Sequence, residues 1–326
     1  ILAMGGGYDA CEDGDPNTCT SSSKGNRIYL LDADSGALLK TFTTDRGVVG
    51  DVTMLTGSNG RATYGYAADM GGNIYRISGV DAASAIGNTA PSDWTITKIA
   101  ALGCDSGASC SANRKFLYGP VVGAANGEYV IVLGSGDREK PLLSYSSATT
   151  VANRFYSLRD RPADPTWLTS ENTRCGANVI CNDSLLAITD STTPSANDLA
   201  NHPKGWYLAL QPTEQVVTSA LLLFNNITFS THEPNVPNAN SCVGLGTART
   251  YSINYLDASA TSGERFWVIP GGGLAASPMA GTATVDGKDT DFIFGGCRDS
   301  SLASCEPPIQ PSETRPKSWV FWNIEK

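Results

Sequence analysis

Apolar and polar residues alternate along short segments of this chain, and the segments recur in a fixed order. Each copy has a small-residue strand, a tight turn, an aromatic strand, a loop and a second aromatic strand. One copy runs Gly47-Val-Val-Gly-Asp-Val-Thr-Met54, turns near Asn59-Gly60, continues through Thr63 to Asp69 and returns along Asn73-Ile-Tyr-Arg-Ile77. A second uses Tyr118 to Val122, Asn126-Gly127, Tyr129 to Gly134 and Arg154-Phe-Tyr-Ser-Leu158. A third uses Val216 to Ala220, Asn225-Asn226, Ile227 to Ser230 and Arg249-Thr-Tyr-Ser-Ile253, and a fourth uses Ala275 to Met279, Asp286-Gly287, Phe292 to Gly295 and Trp319-Val-Phe-Trp322. Asn-Gly or Asp-Gly between alternating runs is the strongest local hairpin signal, because the central residues of a type I′ turn need positive φ. Each copy therefore reads as a meander.

Further strands are expected at Leu38 to Phe42, Trp94 to Ile99, Trp206 to Leu210 and Phe266 to Ile269. Four strands per unit, repeated, predict an all-β chain built as a β-propeller. The opening Ile1-Leu-Ala-Met-Gly-Gly-Gly7 matches the second strand of a blade. The expectation is that residues 1–326 form the C-terminal part of a propeller, an incomplete ring whose earlier blades and N-terminal domain lie upstream.

Composition narrows the class. Hydrophobic residues make up 41% and charged residues 17%, with 34 glycines, which suits a turn-rich chain with a large core. A formal net charge of −9 argues against nucleic acid as a partner, which would call for a basic stripe. No apolar run approaches the roughly 20 residues of a membrane-spanning helix.

Nine cysteines are present, and eight fall into close pairs: Cys11 with Cys19, Cys104 with Cys110, Cys175 with Cys181, and Cys297 with Cys305. Separations of six and eight suit local loop staples and do not match the C-x-x-C spacing of zinc or redox sites. Four disulfides imply an oxidising, extracytoplasmic compartment. Cys242 is left over, as a buried free thiol or as a partner for a cysteine outside this chain.

Several motifs appear together: Gly6-Gly-Tyr-Asp9, Gly25-Asn-Arg-Ile-Tyr-Leu-Leu-Asp-Ala-Asp-Ser-Gly-Ala-Leu-Leu39, Tyr66-Ala-Ala-Asp-Met-Gly-Gly-Asn-Ile-Tyr-Arg76, Gly205-Trp-Tyr-Leu208 and Gly271-Gly-Gly-Leu-Ala-Ala-Ser-Pro278. In this order the set resembles the C-terminal propeller of the PilY1/PilC family, tip-associated adhesins and assembly factors of type IV pili. The Asp-Ala-Asp-Ser-Gly segment alone is shared with quinoprotein-like propellers. The resemblance implies passage through the periplasm to the cell surface or pilus tip of a Gram-negative bacterium. It also implies roles in pilus biogenesis, twitching motility and adhesion, with minor pilins and a host or abiotic surface as partners.

The family resemblance also implies a calcium loop, D-x-N/D-x-D-G-x-x-D, just before the segment from Tyr64 to Asp69. The positions here are Leu55, Gly57, Asn59, Arg61 and Thr63, which lack the carboxylates that calcium requires, so this site reads as lost. The family's Arg-Gly-Asp sequence is also missing, since Arg46-Gly47 continues to Val48. A weaker metal candidate is Asp13, Asp15 and Asn17 in the Cys11–Cys19 loop, which have the first, third and fifth spacing of a calcium loop but meet Lys24 where its glutamate belongs. A solvated acidic loop explains them as well, and Asp286-Gly-Lys-Asp-Thr-Asp291 reads as a turn. No cofactor is expected; calcium is the one ion these residues could take.

No catalytic residue is assigned. His202 and His232 fall in polar segments beside prolines, no H-E-x-x-H or G-x-S-x-G occurs, and Ser21-x-x-Lys24 sits in a serine-rich loop. Gly244-Leu-Gly246 follows no βα unit. The expectation is a protein that is not an enzyme. The alternatives are a quinoprotein-like dehydrogenase, for which no funnel carboxylates can be assigned, and a secreted carbohydrate-binding propeller. The latter would display aromatics on loops, such as Trp167, whereas Trp206, Trp267, Trp319 and Trp322 fall on predicted strands. Two insertions, near 161–204 (Arg161 to Lys204) and near 231–248 (Thr231 to Ala248), are the expected contact surfaces, because long loops on a rigid scaffold carry recognition.

Overall fold

The computed structural model describes residues 1–15, 19, 24–105, 112–125, 127–223, 225–235, 244–261, 263–285 and 288–294. The strands form five successive sheets. The first contains β1 (Leu2–Gly5), β2 (Arg27–Leu31) and β3 (Leu38–Thr43); the second β4 (Thr53–Thr56), β5 (Ala62–Ala68), β6 (Asn73–Ser78) and β7 (Thr95–Ala101). The third contains β8 (Val121–Ala125), β9 (Glu128–Gly134), β10 (Arg154–Asp160), β11 (Leu186–Ile188) and β12 (Gly205–Ala209), in the order β11-β12-β10-β9-β8. The fourth has β13 (Gln215–Val216), β14 (Leu221–Leu223), β15 (Asn226–Glu233), β16 (Thr247–Asn254) and β17 (Phe266–Ile269), and the fifth pairs β18 (Met279–Val285) with β19 (Lys288–Phe294). Neighbours pair antiparallel, except that β11 runs parallel to β12. This is the predicted propeller of meander blades.

The first four sheets pack face to face on one another through three hydrophobic cores. Ile28, Leu30 and Phe42 of the first pack on Ala67 and Ile77 of the second. Tyr66 and Ile74 meet Ile131, Tyr156 and Leu158 of the third. Val132, Phe155 and Trp206 meet Ile227, Phe229 and Tyr251 of the fourth. Between the third and fourth blades the rings form a continuous pile: Phe155 lies 3.8 Å from Phe229, which lies 4.7 Å from Tyr251, which lies 5.1 Å from Phe266. Alternating strands thus place one residue set on each inter-blade core. Buried rings of this size each cost about 3–5 kcal/mol to truncate.

The familiar motifs turn out to be turn chemistry. In Asp32-Ala-Asp-Ser-Gly36 the Asp32 carboxylate accepts from the Ser35 amide at 2.8 Å and the Ser35 hydroxyl at 2.7 Å, and Gly36 takes φ +71° between β2 and β3. In Asp69-Met-Gly-Gly-Asn73 the buried Asp69 carboxylate collects the amides of Arg46, Gly71 and Asn73 and the Tyr75 hydroxyl. Burial pushes this carboxyl above its ordinary range, while the Asn73 and Tyr75 donors pull it back.

Three expectations about strands are corrected. The segment from Gly47 to Val52 is not a strand; β4 begins at Thr53. It approaches the next blade backbone to backbone, since a Cβ on Gly50 would lie 2.3 Å from the Gly119 amide nitrogen. The turn at Asn59-Gly60 has positive φ at Gly60 alone, and a register shift between Leu55 and Thr56 absorbs the odd residue. The small-residue strand of the last blade begins only at Met279, not Ala275. Its turn Asp286-Gly287 and its return strand from Trp319 to Trp322 lie outside the described residues.

Candidate functional site

The insertion between β10 and β12 is ordered by its own staples. It carries the short helices α2 (Asn172–Cys175) and α3 (Ala196–Asn201), following α1 (Ser146–Thr150) of the preceding connection, and adds β11 to the outer edge of its blade. The Cys175–Cys181 disulfide closes one loop, with Cα atoms 5.7 Å apart. Ser195 caps α3, accepting from the Asp198 amide while the Asp198 carboxylate accepts from the Ser195 amide at 2.9 Å. Trp167 anchors the start of the insertion: its indole N–H donates to the Arg159 carbonyl at 3.1 Å, and the Arg161 guanidinium and Lys204 ammonium lie 4.5 and 3.5 Å from its ring centre. Burial lowers the Lys204 pKa, opposed by Glu171. Trp167 is therefore not the exposed loop aromatic that a carbohydrate-binding propeller would display: it is 6% exposed, and cations cover its ring.

At the base of this insertion lies a cavity of about 450 Å³ lined by Glu128, Arg159, Arg161, Leu199, His202 and Leu256, among others. Glu128 accepts from Arg159 Nη1 and, at 2.9 Å, from Arg161 Nε. The His202 ring lies over the end of α3, with Nδ1 donating to the Asp198 carbonyl at 2.8 Å. Topology alone joins these groups: Glu128 begins β9, Arg159 lies just before β10 ends at Asp160, and His202 follows α3 some forty residues later. The aromatic alternation from Arg154 to Leu158 ends short of Arg159 and gives no sign of its role.

A second polar cluster is wholly internal. Glu12 is fully buried and meets Arg46 and, at 3.2 Å, Lys115. Lys115 also reaches Asp137 at 2.9 Å, and the Lys140 ammonium donates to the Glu12 carbonyl. These residues lie on loops from three blades, so the cluster ties the loops together at one end of the propeller. Buried charges require such pairing.

Of the metal candidates, Asp15 accepts from the Ser146 amide at 2.9 Å and from the Ser146 hydroxyl, and these bonds hold its carboxyl below the usual range. Asp13 is exposed, and Asn17 lies outside the described residues. The loop from Leu55 to Thr63 is a hydrogen-bonded turn in which Asn59 Oδ1 accepts from the Arg61 amide at 3.1 Å. Among the described residues, Cys11, Glu12 and Cys19 come close enough to share an ion, but the two sulfurs are joined as a disulfide. Cys104 is also disulfide-bonded, while Cys110, Cys242, Cys297 and Cys305 lie outside the described residues, as does Ser21 of the Ser21-x-x-Lys24 match.

The histidines part company. His202 follows α3 as expected for a loop residue, but His232 sits within β15, paired with Ala248 of β16 and 4% exposed. Pairing continues past Thr231 because each residue out to Glu233 finds a partner on β16. The insertion expected from 231 to 248 is thereby shortened to residues 234–246.

Neither a protein-family model nor a curated protein sequence matches the chain. Among solved structures, the C-terminal domain of Pseudomonas aeruginosa PilY1 superposes with a TM-score of 0.55 over 90% of this chain and 67% of that domain, at 14% identity. The fold is that of the PilY1 C-terminal domain. A quinohemoprotein alcohol dehydrogenase of Pseudomonas putida HK5 overlaps more weakly, with a TM-score of 0.41 and 12% identity over 82% of this chain and 35% of that one. The PilY1-like fold accounts for the meander order, and disulfides on its loops fit an oxidising, extracytoplasmic setting. No helix among the described residues is long and apolar enough to cross a membrane.

Proposed function

We propose that this chain serves type IV pilus biogenesis and acts as a tip-located adhesin, supporting pilus extension, twitching motility and surface attachment. The observation that carries the reading is the PilY1-like propeller extending over 90% of the chain. The ordered motifs from Gly6 to Pro278 agree with it. Minor pilins and a host or abiotic surface are the proposed partners, and the 161–204 insertion on the third blade is the proposed contact element. A stapled insertion loses less entropy on engagement than a free loop.

The role is proposed to be non-enzymatic, with no cofactor. Both histidines are engaged with backbone carbonyls, His202 with Asp198 and His232 with Leu245. In the native host, disruption of the parent gene should reduce surface pili and the twitching zone, and the protein should co-purify with pilin. A strain that keeps normal pili, motility and attachment without it would refute the reading.

A further inference from the structure

The cavity beneath the insertion has the makings of a binding site independent of the pilus reading. Glu128 engages Nη1 of Arg159 and Nε of Arg161, whose guanidinium also rests on the Trp167 ring, and leaves both Nη groups of Arg161 and Nη2 of Arg159 without hydrogen-bond partners among the described residues. The Arg161 side chain is 46% exposed, so its fork is within reach of solvent. On His202, Nδ1 is engaged and Nε2 has no partner among the described residues. Two arginines against one glutamate give a formal charge of +1 in a chain of −9. A fork of fixed guanidinium donors selects a planar carboxylate, which accepts two parallel hydrogen bonds.

Leu199, Pro203 and the 43% exposed Leu256 give the wall an aliphatic side. A volume of about 450 Å³ suits a small organic group better than a bare ion. A sugar acid would want an open aromatic face, yet Trp206 is 1% exposed and Trp167 is covered by Arg161 and Lys204. We propose that this cavity binds a peptide carboxylate next to an aliphatic side chain, with Arg161 and Arg159 holding the carboxylate and Leu199, Pro203 and Leu256 the side chain.

The test titrates the full chain with N-acetyl-leucine, N-acetyl-leucinamide, glucuronate and inorganic phosphate, followed by calorimetry and by NMR of the arginine Nε–H groups. Saturable binding of N-acetyl-leucine is expected, with the amide roughly ten-fold weaker because it forfeits the charge-assisted pair. Arg161→Gln should weaken N-acetyl-leucine roughly ten-fold and Arg161→Lys by less, since lysine keeps charge but not the fork. Leu256→Ser should reduce the preference for N-acetyl-leucine over glucuronate while the circular dichroism spectrum stays unchanged. Equal binding of acid and amide, an unaffected Arg161→Gln variant, or tighter binding of glucuronate or phosphate would overturn the proposal, as would no saturable binding. Any of these leaves the pilus reading standing, because that reading does not use the cavity.

Discussion

The Arg76–Asp160 pair crosses the interface between the second and third blades. Both Asp160 carboxylate oxygens accept from Arg76 Nη1 at 2.6 Å, and Asp160 Oδ2 also accepts from the Tyr66 hydroxyl at 2.9 Å. Arg76 Nη2 donates to the Ala82 carbonyl at 2.9 Å, so the guanidinium is held on two sides. Side-chain exposure is 4% for Arg76 and nil for Asp160. Asp160→Asn keeps an acceptor for Tyr66 but leaves a buried cation without its counter-charge, which should cost about 3–5 kcal/mol. For a chain of this size that corresponds to a fall in Tm of roughly 4–7 °C. Arg76→Met alone should leave the Asp160 carboxylate unpaired at a similar cost, whereas combining it with Asp160→Asn removes the stranded charge and should recover more than half of the Asp160→Asn loss, about 2–3 kcal/mol. Urea unfolding followed by tryptophan fluorescence, with disulfides intact, measures all three variants. A single-variant loss below about 1 kcal/mol, or a double variant as unstable as the sum of the singles, would refute the reasoning.

Replacing Cys175 and Cys181 by serine should cost about 2 kcal/mol, because a short loop is released in the unfolded chain, and should raise hydrogen exchange across residues 172–184 ahead of the blades. The Asp15 carboxyl titrates below its ordinary value, so its contribution to stability is present above the unfolded pKa and is lost as pH falls through the lower folded one. Ser146→Ala should bring it back towards about 3.9 in carbon-detected NMR; no movement would detach the shift from Ser146. Exchange of calcium for a chelator should leave Tm unchanged within about 1 °C, since a tight ion would stabilise by mass action. A larger drop on chelation would show that the folded chain binds an ion.

Much of the architecture was legible because its cause is local. Residues such as Tyr75, Tyr156 and Tyr251 recur at fixed places on strands of period two, and glycine marks the turns at Gly36, Gly60 and Gly127, each with positive φ. The errors have causes that lie farther along the chain. A run such as Gly47 to Val52 carries strand-like residues, yet close backbone contact with the next blade at Gly119 leaves it without a ladder partner. His232 looked like a loop residue because a proline follows closely, while its pairing with Ala248 depends on a strand that begins fifteen residues later.

By itself, then, the sequence determined the meander, its repetition and the adjacent Cys11–Cys19 and Cys175–Cys181 staples, all of which depend on residues within a few positions of one another. Only the tertiary structure decided which charges meet. Glu12 joins Lys115 and Lys140 across more than a hundred residues, and Arg159 joins His202 around one cavity. Periodicity specifies which face of a strand is apolar; it carries no information about which polar residue a neighbouring blade will bring opposite. That choice is made when the blades pack, and burial then makes each mismatched charge costly enough to exclude the alternatives.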